Sequence, residues 1–168
     1  MENSNHSNVL IIGGGCAGIS VASRLNSLKS SLKISIIEPS DKALYQAAWT
    51  LVGAGAYNKS NTIKPMSEVM PKYVKWIKSY AETFSPEQNL VKTSDGDYTY
   101  DYLVVCPGLK LNFNGVEGLT ESLGKNNVCT NYEADMAEYT WECLKNLKGG
   151  NLLFTEPPMP IKCAGAPQ

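Results

Sequence analysis

An α/β fold is predicted by three features of this chain: a glycine-rich turn between an apolar strand and a helix, an acid closing the next strand, and a run of short β segments leading to a further apolar strand. The first lies in VLIIGGGCAGIS. Val9 to Ile12 is a short, largely β-branched run that reads as a buried strand, and Ile19 to Leu28 continues as a helix. Between them Gly13, Gly15 and Gly18 satisfy G-x-G-x-x-G, with Cys16 and Ala17 inside the turn. Gly13 allows the tight turn, Gly15 lets a pyrophosphate approach the backbone, and Gly18 lets helix and strand pack closely. The pyrophosphate would sit on the free N–H groups and positive dipole end of the helix. Lys33 to Ile37 is the next strand, and Glu38 ends it, placed to accept hydrogen bonds from a ribose diol. Together these define a Rossmann-like βαβ dinucleotide site. The alternative is a tight turn in another doubly wound fold, with Glu38 merely solvated. An acid at 38 disfavours a 2′-phosphate, which leaves FAD or NAD rather than NADP.

At 168 residues the chain can bury one good core. Its 43% hydrophobic and 18% charged residues are ordinary for a globular protein. A net charge of −1 gives no argument for nucleic acid or an anionic membrane surface, and no nucleic-acid partner is expected. No apolar run approaches the roughly 20 residues that span a bilayer. The polar start, MENSNHSN (residues 1–8), reads as a frayed, disordered tail and resembles neither a secretory signal nor a transit peptide. His6, the only histidine, lies there, which leaves no histidine base and no histidine-rich metal site. Five cysteines, an odd number without a C-x-x-C pair, fit neither a zinc site nor a disulfide framework; no metal is expected.

After Glu38 the pattern breaks. Pro39 to Asn61, with YQAAWTLVGAGAY, reads as loop and short helix whose small residues let backbone lie close to a flat ligand. Ser67 to Tyr73 suggests a helical turn ended at Pro71. Val74 to Ile77, Ser79 to Phe84, Leu90 to Lys92 and Tyr98 to Tyr100 are short β runs with turn chemistry at 85–87 and 94–97, an antiparallel meander over about 74–100. Asp101 to Cys106 then returns as a buried strand, stopped by Pro107-Gly108. Asn114 to Leu123 is loop with a helical turn. Glu133 to Leu147 is an amphipathic helix, started by Asn131 as cap and ended by Gly149-Gly150, with Asn151 to Phe154 as another sheet strand.

YTYDYLVVCPG looks like the second nucleotide motif of two-dinucleotide-domain flavoproteins, where a strand after a meander ends in a small-residue turn beside FAD. That moves the choice from NAD to FAD and adds Pro107 and Gly108 to the cofactor-binding candidates Gly13, Gly15, Cys16, Ala17, Gly18 and Glu38. KCAGAPQ after a proline-rich connection resembles the sulfide:quinone oxidoreductase family, particularly its branch in mitochondria and some bacteria. YQAAWTLVGAG, MPKYVKWI and the TW of the Glu133 helix resemble the same family.

The resemblance implies a pyridine nucleotide-disulfide reductase-like flavoprotein of which this chain is the N-terminal portion. It implies an FAD-binding segment over 9–115 and an incomplete second dinucleotide-type domain over 116–168, the fold being truncated there. A second redox cysteine, the quinone pocket and a C-terminal membrane-docking part would lie outside the chain. The implied chemistry is oxidation of sulfide to a persulfide on a cysteine matching Cys163, with electrons passing through FAD to a quinone. The implied address is the mitochondrial inner membrane, held peripherally, or the bacterial cytoplasmic membrane. The 168 residues alone are then expected to be inactive. Two other readings stand beside it: a non-catalytic FAD-binding remnant, and a type II NADH dehydrogenase-like flavoprotein.

Read as residues, Lys162 and the small residues after Cys163 favour an accessible thiolate, although a loop cysteine is more often inert. Cys129 reads as a plain buried thiol or a flavin-proximal one. Cys16 is expected to pack beside the nucleotide, Cys106 to sit in the core at a strand end, and Cys143 to face the core from its helix. Gln46-Ala47-Ala48 departs from the family, whose members usually carry proline and glycine there.

Overall fold

The structure is a computed structural model that describes residues 5–155, so Cys163 and the KCAGAPQ motif lie outside the described residues. In chain order its elements are β1 (His6–Ile12), α1 (Cys16–Leu28), β2 (Ile34–Ile37), β3 (Lys42–Leu44), α2 (Trp49–Gly53), β4 (Ile63–Pro65), α3 (Met66–Val69), β5 (Val74–Ile77), β6 (Ala81–Ser85), β7 (Leu90–Thr93), β8 (Gly96–Val105), α4 (Leu119–Ser122) and α5 (Ala134–Asn146). The larger sheet runs β5-β2-β1-β8-β7-β6. Its β5, β2, β1 and β8 are parallel, and β8, β7 and β6 are antiparallel. This is the expected Rossmann-like α/β sheet with an appended meander. Since β1 pairs with β2 on one side and β8 on the other, the strand order reverses beside β1, where open α/β sheets bind ligands.

A parallel sheet buried on both faces needs strands that are apolar on both sides. The run VLII supplies that. Leu10 and Ile12 pack on one face with Ile37, Ile77, Val91, Tyr98 and Tyr100. Val9 and Ile11 pack on the other with Ile34, Ile36 and Ala22 of α1. Full burial of such a side chain contributes about 1.5–3 kcal/mol, so the centre of the sheet is its stable part. The hydroxyls of Ser7 and Ser35, both buried between strands, satisfy one another at 2.6 Å. A third cluster joins α2 to α5 through Trp49, Val52 and Ala137. Lys59 reinforces it from outside, with its ammonium 3.0 Å from Asp135 and 3.4 Å from Glu138.

Several expectations are corrected. Within the stretch read as a frayed tail, His6 to Asn8 belong to β1; the Asn5 carbonyl accepts from the Thr99 amide at 3.0 Å and His6 meets the Thr99 hydroxyl at 3.0 Å. The first helix begins at Cys16 rather than Ile19, because the glycine turn leads directly into it. Val74–Ile77 is no part of the meander: it pairs parallel with β2 at the opposite edge, in register Ile34↔Val74. The two runs expected at 98–100 and 101–106 form one strand, β8, whose later half is partly open, with Tyr102 and Val105 exposed. β3 and β4 form an antiparallel pair within and after the stretch read as loop. Asn131 does not cap α5: Glu133 holds the cap position without a side-chain bond, and the Asn131 Oδ1 is buried without a hydrogen-bond partner. Asn151 to Phe154 forms no strand, and Leu153 and Phe154 are largely exposed.

Candidate functional site

Parallel strands bring three loops to one edge of the sheet. The register Ile12↔Ile37 and Ile12↔Val105 aligns the carboxyl ends of β1, β2 and β8. The glycine loop, Glu38 and Cys106-Pro107-Gly108 therefore emerge side by side. Backbone bonds tie them: the Gly13 amide donates to Ile37 O at 2.9 Å and the Cys106 amide to Ile12 O at 2.7 Å.

Gly13 lies at φ +99°, in the region open to glycine, and a Cβ there would run into the Cys106 carbonyl oxygen. Gly18 is closed in by the Gly13 carbonyl, which occupies the place where its Cβ would be. Gly15, by contrast, has nothing within 4 Å of that position. Gly15, Cys16 and Ala17 are exposed at the start of α1, which no side chain caps. The first amides of a helix have no partner inside it, so this end offers N–H donors and a positive dipole to an anion.

Glu38 is half-buried at the end of β2. Its carboxylate accepts from the Gly14 amide at 2.7 Å and from the Ser40 amide at 2.8 Å. Its own backbone is fixed by the Glu38 amide donating to Ile77 O at 3.0 Å and by the Trp76 indole donating to Glu38 O at 2.8 Å. A carboxylate has about four acceptor positions, so both oxygens can still take ribose hydroxyls. Pro107 and Gly108 are exposed, with Gly108 at φ +74°.

The sequence reading missed Gly14. A Cβ at 14 would lie 2.8 Å from Glu38 Cγ, so the middle residue of Gly13-Gly14-Gly15 must be small for the carboxylate to reach the loop. The run of three glycines was the available signal. Cys16 is exposed rather than packed, and Cys106 is only partly buried. A surface cleft of about 640 Å³ lies between α2 and α5, lined by Val52, Tyr57, Lys59 and Trp141 among others and by no glycine-loop residue. Among the described residues no group of three metal-ligating side chains converges.

An open glycine loop on a helix start, an acid at the neighbouring strand end and a reversal of strand order define a dinucleotide-binding fold. The chain belongs to the pyridine nucleotide-disulphide oxidoreductase family, whose model matches residues 7–140. It is similar to the mitochondrial sulfide:quinone oxidoreductase of Dictyostelium discoideum, 46% identical over 167 residues, which are 98% of this chain and 37% of that protein. The protein of the same name from Mus musculus is 39% identical over 165 residues, with the same coverage. Among solved structures, the X-ray structure of the sulfide:quinone oxidoreductase from Aquifex aeolicus matches with a TM-score of 0.66 and 31% identity, over 84% of this chain and 32% of that one. The chain thus spans well under half the length of these relatives. FAD is the cofactor of the family, and the donor-rich helix start and the Glu38 carboxylate suit its anionic pyrophosphate and its ribose.

Proposed function

We propose that these residues form the FAD-holding part of an enzyme that oxidises sulfide to a cysteine-bound persulfide and passes the electrons to a quinone. The observation that carries the reading is the convergence of the glycine loop, Glu38 and Cys106–Gly108 at three aligned strand ends, together with 46% identity to a relative named for that reaction. In this proposal the amides at the start of α1, around Gly15, Cys16 and Ala17, hold the pyrophosphate. Gly13 and Gly18 keep the turn close to the strand, and Glu38 holds the adenosine ribose. Pro107 and Gly108 border the cofactor on the β8 side. Residues 9–115 form the FAD-binding segment, and 116–168 begin a second dinucleotide-type domain. Cys163, outside the described residues, is the sulfur that carries the persulfide; the neighbouring Lys162 favours its thiolate. When bound, FAD supplies the two-electron step between thiol and quinone.

Sulfide and a quinone are the proposed partners, and the site of action is a mitochondrial or bacterial membrane reached peripherally. No helix among the described residues is long and apolar enough to cross one. The test is an absorbance experiment on the protein as purified from its natural source. Sulfide should bleach the flavin band, a soluble quinone should restore it, and Cys163→Ser should abolish bleaching. Bleaching by NADH instead of sulfide would favour the NADH dehydrogenase-like reading, and a colourless protein the nucleotide-binding remnant.

A further inference from the structure

We propose that Trp76 is a positioning residue: its indole holds Glu38 in the conformation that grips the adenosine ribose, and so sets the preference of the site for a ribose with a free 2′-hydroxyl. The inference rests on the reading of Glu38 as the ribose acid given above, and adds to it a residue from a different strand.

The geometry starts from an interruption in the ladder between β2 and β5. Parallel strands exchange evenly spaced bonds: an N–H on one strand donates to its neighbour, and the neighbour donates back two residues further on. The Glu38 amide donates to Ile77 O at 3.0 Å, so the Glu38 carbonyl is next in line for the Ser79 amide. Ser79 turns back instead, and its amide also donates to Ile77 O at 3.0 Å. The Ser79 hydroxyl meets the Ser94 hydroxyl at 3.0 Å, which carries the chain away towards the meander. A half-buried carbonyl deprived of its ladder donor is costly. The Trp76 indole takes the place of Ser79. Trp76 stands beside Ile36 in the register, and its Nε1–H reaches two residues along β2 to donate to Glu38 O at 2.8 Å.

That bond controls where the carboxylate points. Pro39 follows Glu38, offers no N–H to anchor the peptide between them, and keeps Glu38 extended. The carbonyl held by the indole is therefore the handle on this peptide. From it the chain turns so that the Ser40 amide meets one carboxylate oxygen of Glu38 at 2.8 Å, while the Gly14 amide meets the other at 2.7 Å. On the loop side the fit is close. A Cβ at Gly14 would lie 2.8 Å from Glu38 Cγ and 3.2 Å from Met70 Cε, and Met70 packs on the cluster beneath α1. Both oxygens are thus aimed, with lone pairs left for the ribose diol and a charge that repels a 2′-phosphate. Without the indole donor the 38–40 turn relaxes, and Glu38 keeps its charge but loses its aim.

The test compares the full chain with Trp76→Phe, which keeps an aromatic ring and loses the donor. In amide exchange followed by NMR, Gly14 and Ser40 should exchange about tenfold faster in the variant, while amides in the β1–β8 ladder keep their rates. In titrations, the wild type should bind adenosine diphosphate about tenfold more tightly than its 2′-deoxy analogue, and the variant should bind both as weakly as the wild type binds the analogue. Added to Glu38→Gln, Trp76→Phe should leave the preference between the two nucleotides unchanged, since both act through one carboxylate. The wild type supplies a readout that needs no variant to fold: the Trp76 indole proton should be protected from exchange, and a freely exchanging one would overturn the proposal. Equal acceleration across the whole sheet would reduce Trp76 to a structural residue and overturn it too. A wild-type chain that binds neither nucleotide would overturn the reading of Glu38 and this inference with it. Nucleotide binding with unchanged Gly14 and Ser40 exchange in Trp76→Phe would overturn the role of Trp76 alone.

Discussion

Glu38 already accepts two backbone N–H bonds, one of them from the loop that it is proposed to serve. The carboxylate therefore shapes the loop and keeps lone pairs for a ribose. Glu38→Gln retains the size and loses the charge, and is expected to weaken FAD binding about tenfold, measured by quenching of flavin fluorescence. Gly13→Ala combines positive φ with a Cβ driven into the Cys106 carbonyl, so it should cost about 2 kcal/mol or more in urea unfolding. Cys129 gives a pH prediction. Its folded-state proton is held up to about pH 11 against 9.0 for an ordinary cysteine thiol, so the folded state binds more protons between those values. Its stabilising contribution is complete below pH 9.0 and is lost as pH rises through about 11, and Cys129→Ser should flatten that fall in stability. The glycines and Glu38 are readable from the sequence because a turn, a helix start and a strand end are local. Gly14 is not, because its constraint is a side chain from the next strand.

Elements are legible where periodicity and punctuation agree. The run VLII reads as a buried strand and Lys33 to Ile37 as the next strand, and both Val9–Ile12 and Ile34–Ile37 are buried on the two faces of the sheet. Val74–Ile77 is recognisable as a strand but its place is not, since a short apolar run looks the same whether its neighbour runs parallel or antiparallel. Asn151–Phe154 has strand composition but pairs with nothing among the described residues, and composition without a ladder partner does not make a strand. α5 is recognisable from its amphipathic spacing, and Ala137, with no exposed surface, is where it meets Trp49 and Val52 of α2. Ala137→Leu should overpack that contact and cost about 1–3 kcal/mol in thermal or urea unfolding. A neutral result would mean that α5 sits more loosely on α2 than its burial requires.

For the whole molecule, the parallel strands carry the candidate site and the meander extends the sheet away from it. Tyr102, Val105, Leu109, Leu152, Leu153 and Phe154 all leave large apolar surfaces exposed. Such exposure favours association, so the purified chain should show concentration-dependent self-association in sedimentation velocity, and a single monomeric species at high concentration would contradict this. The central claim is that the edge formed by Gly13–Gly18, Glu38 and Cys106–Gly108 holds FAD by its adenosine end. Calorimetric titration of FAD into the 168-residue chain and into its Glu38→Gln variant tests it most directly. The account predicts one FAD per chain, bound about tenfold more weakly by the variant. An absence of binding, or equal affinity in the two proteins, would contradict it.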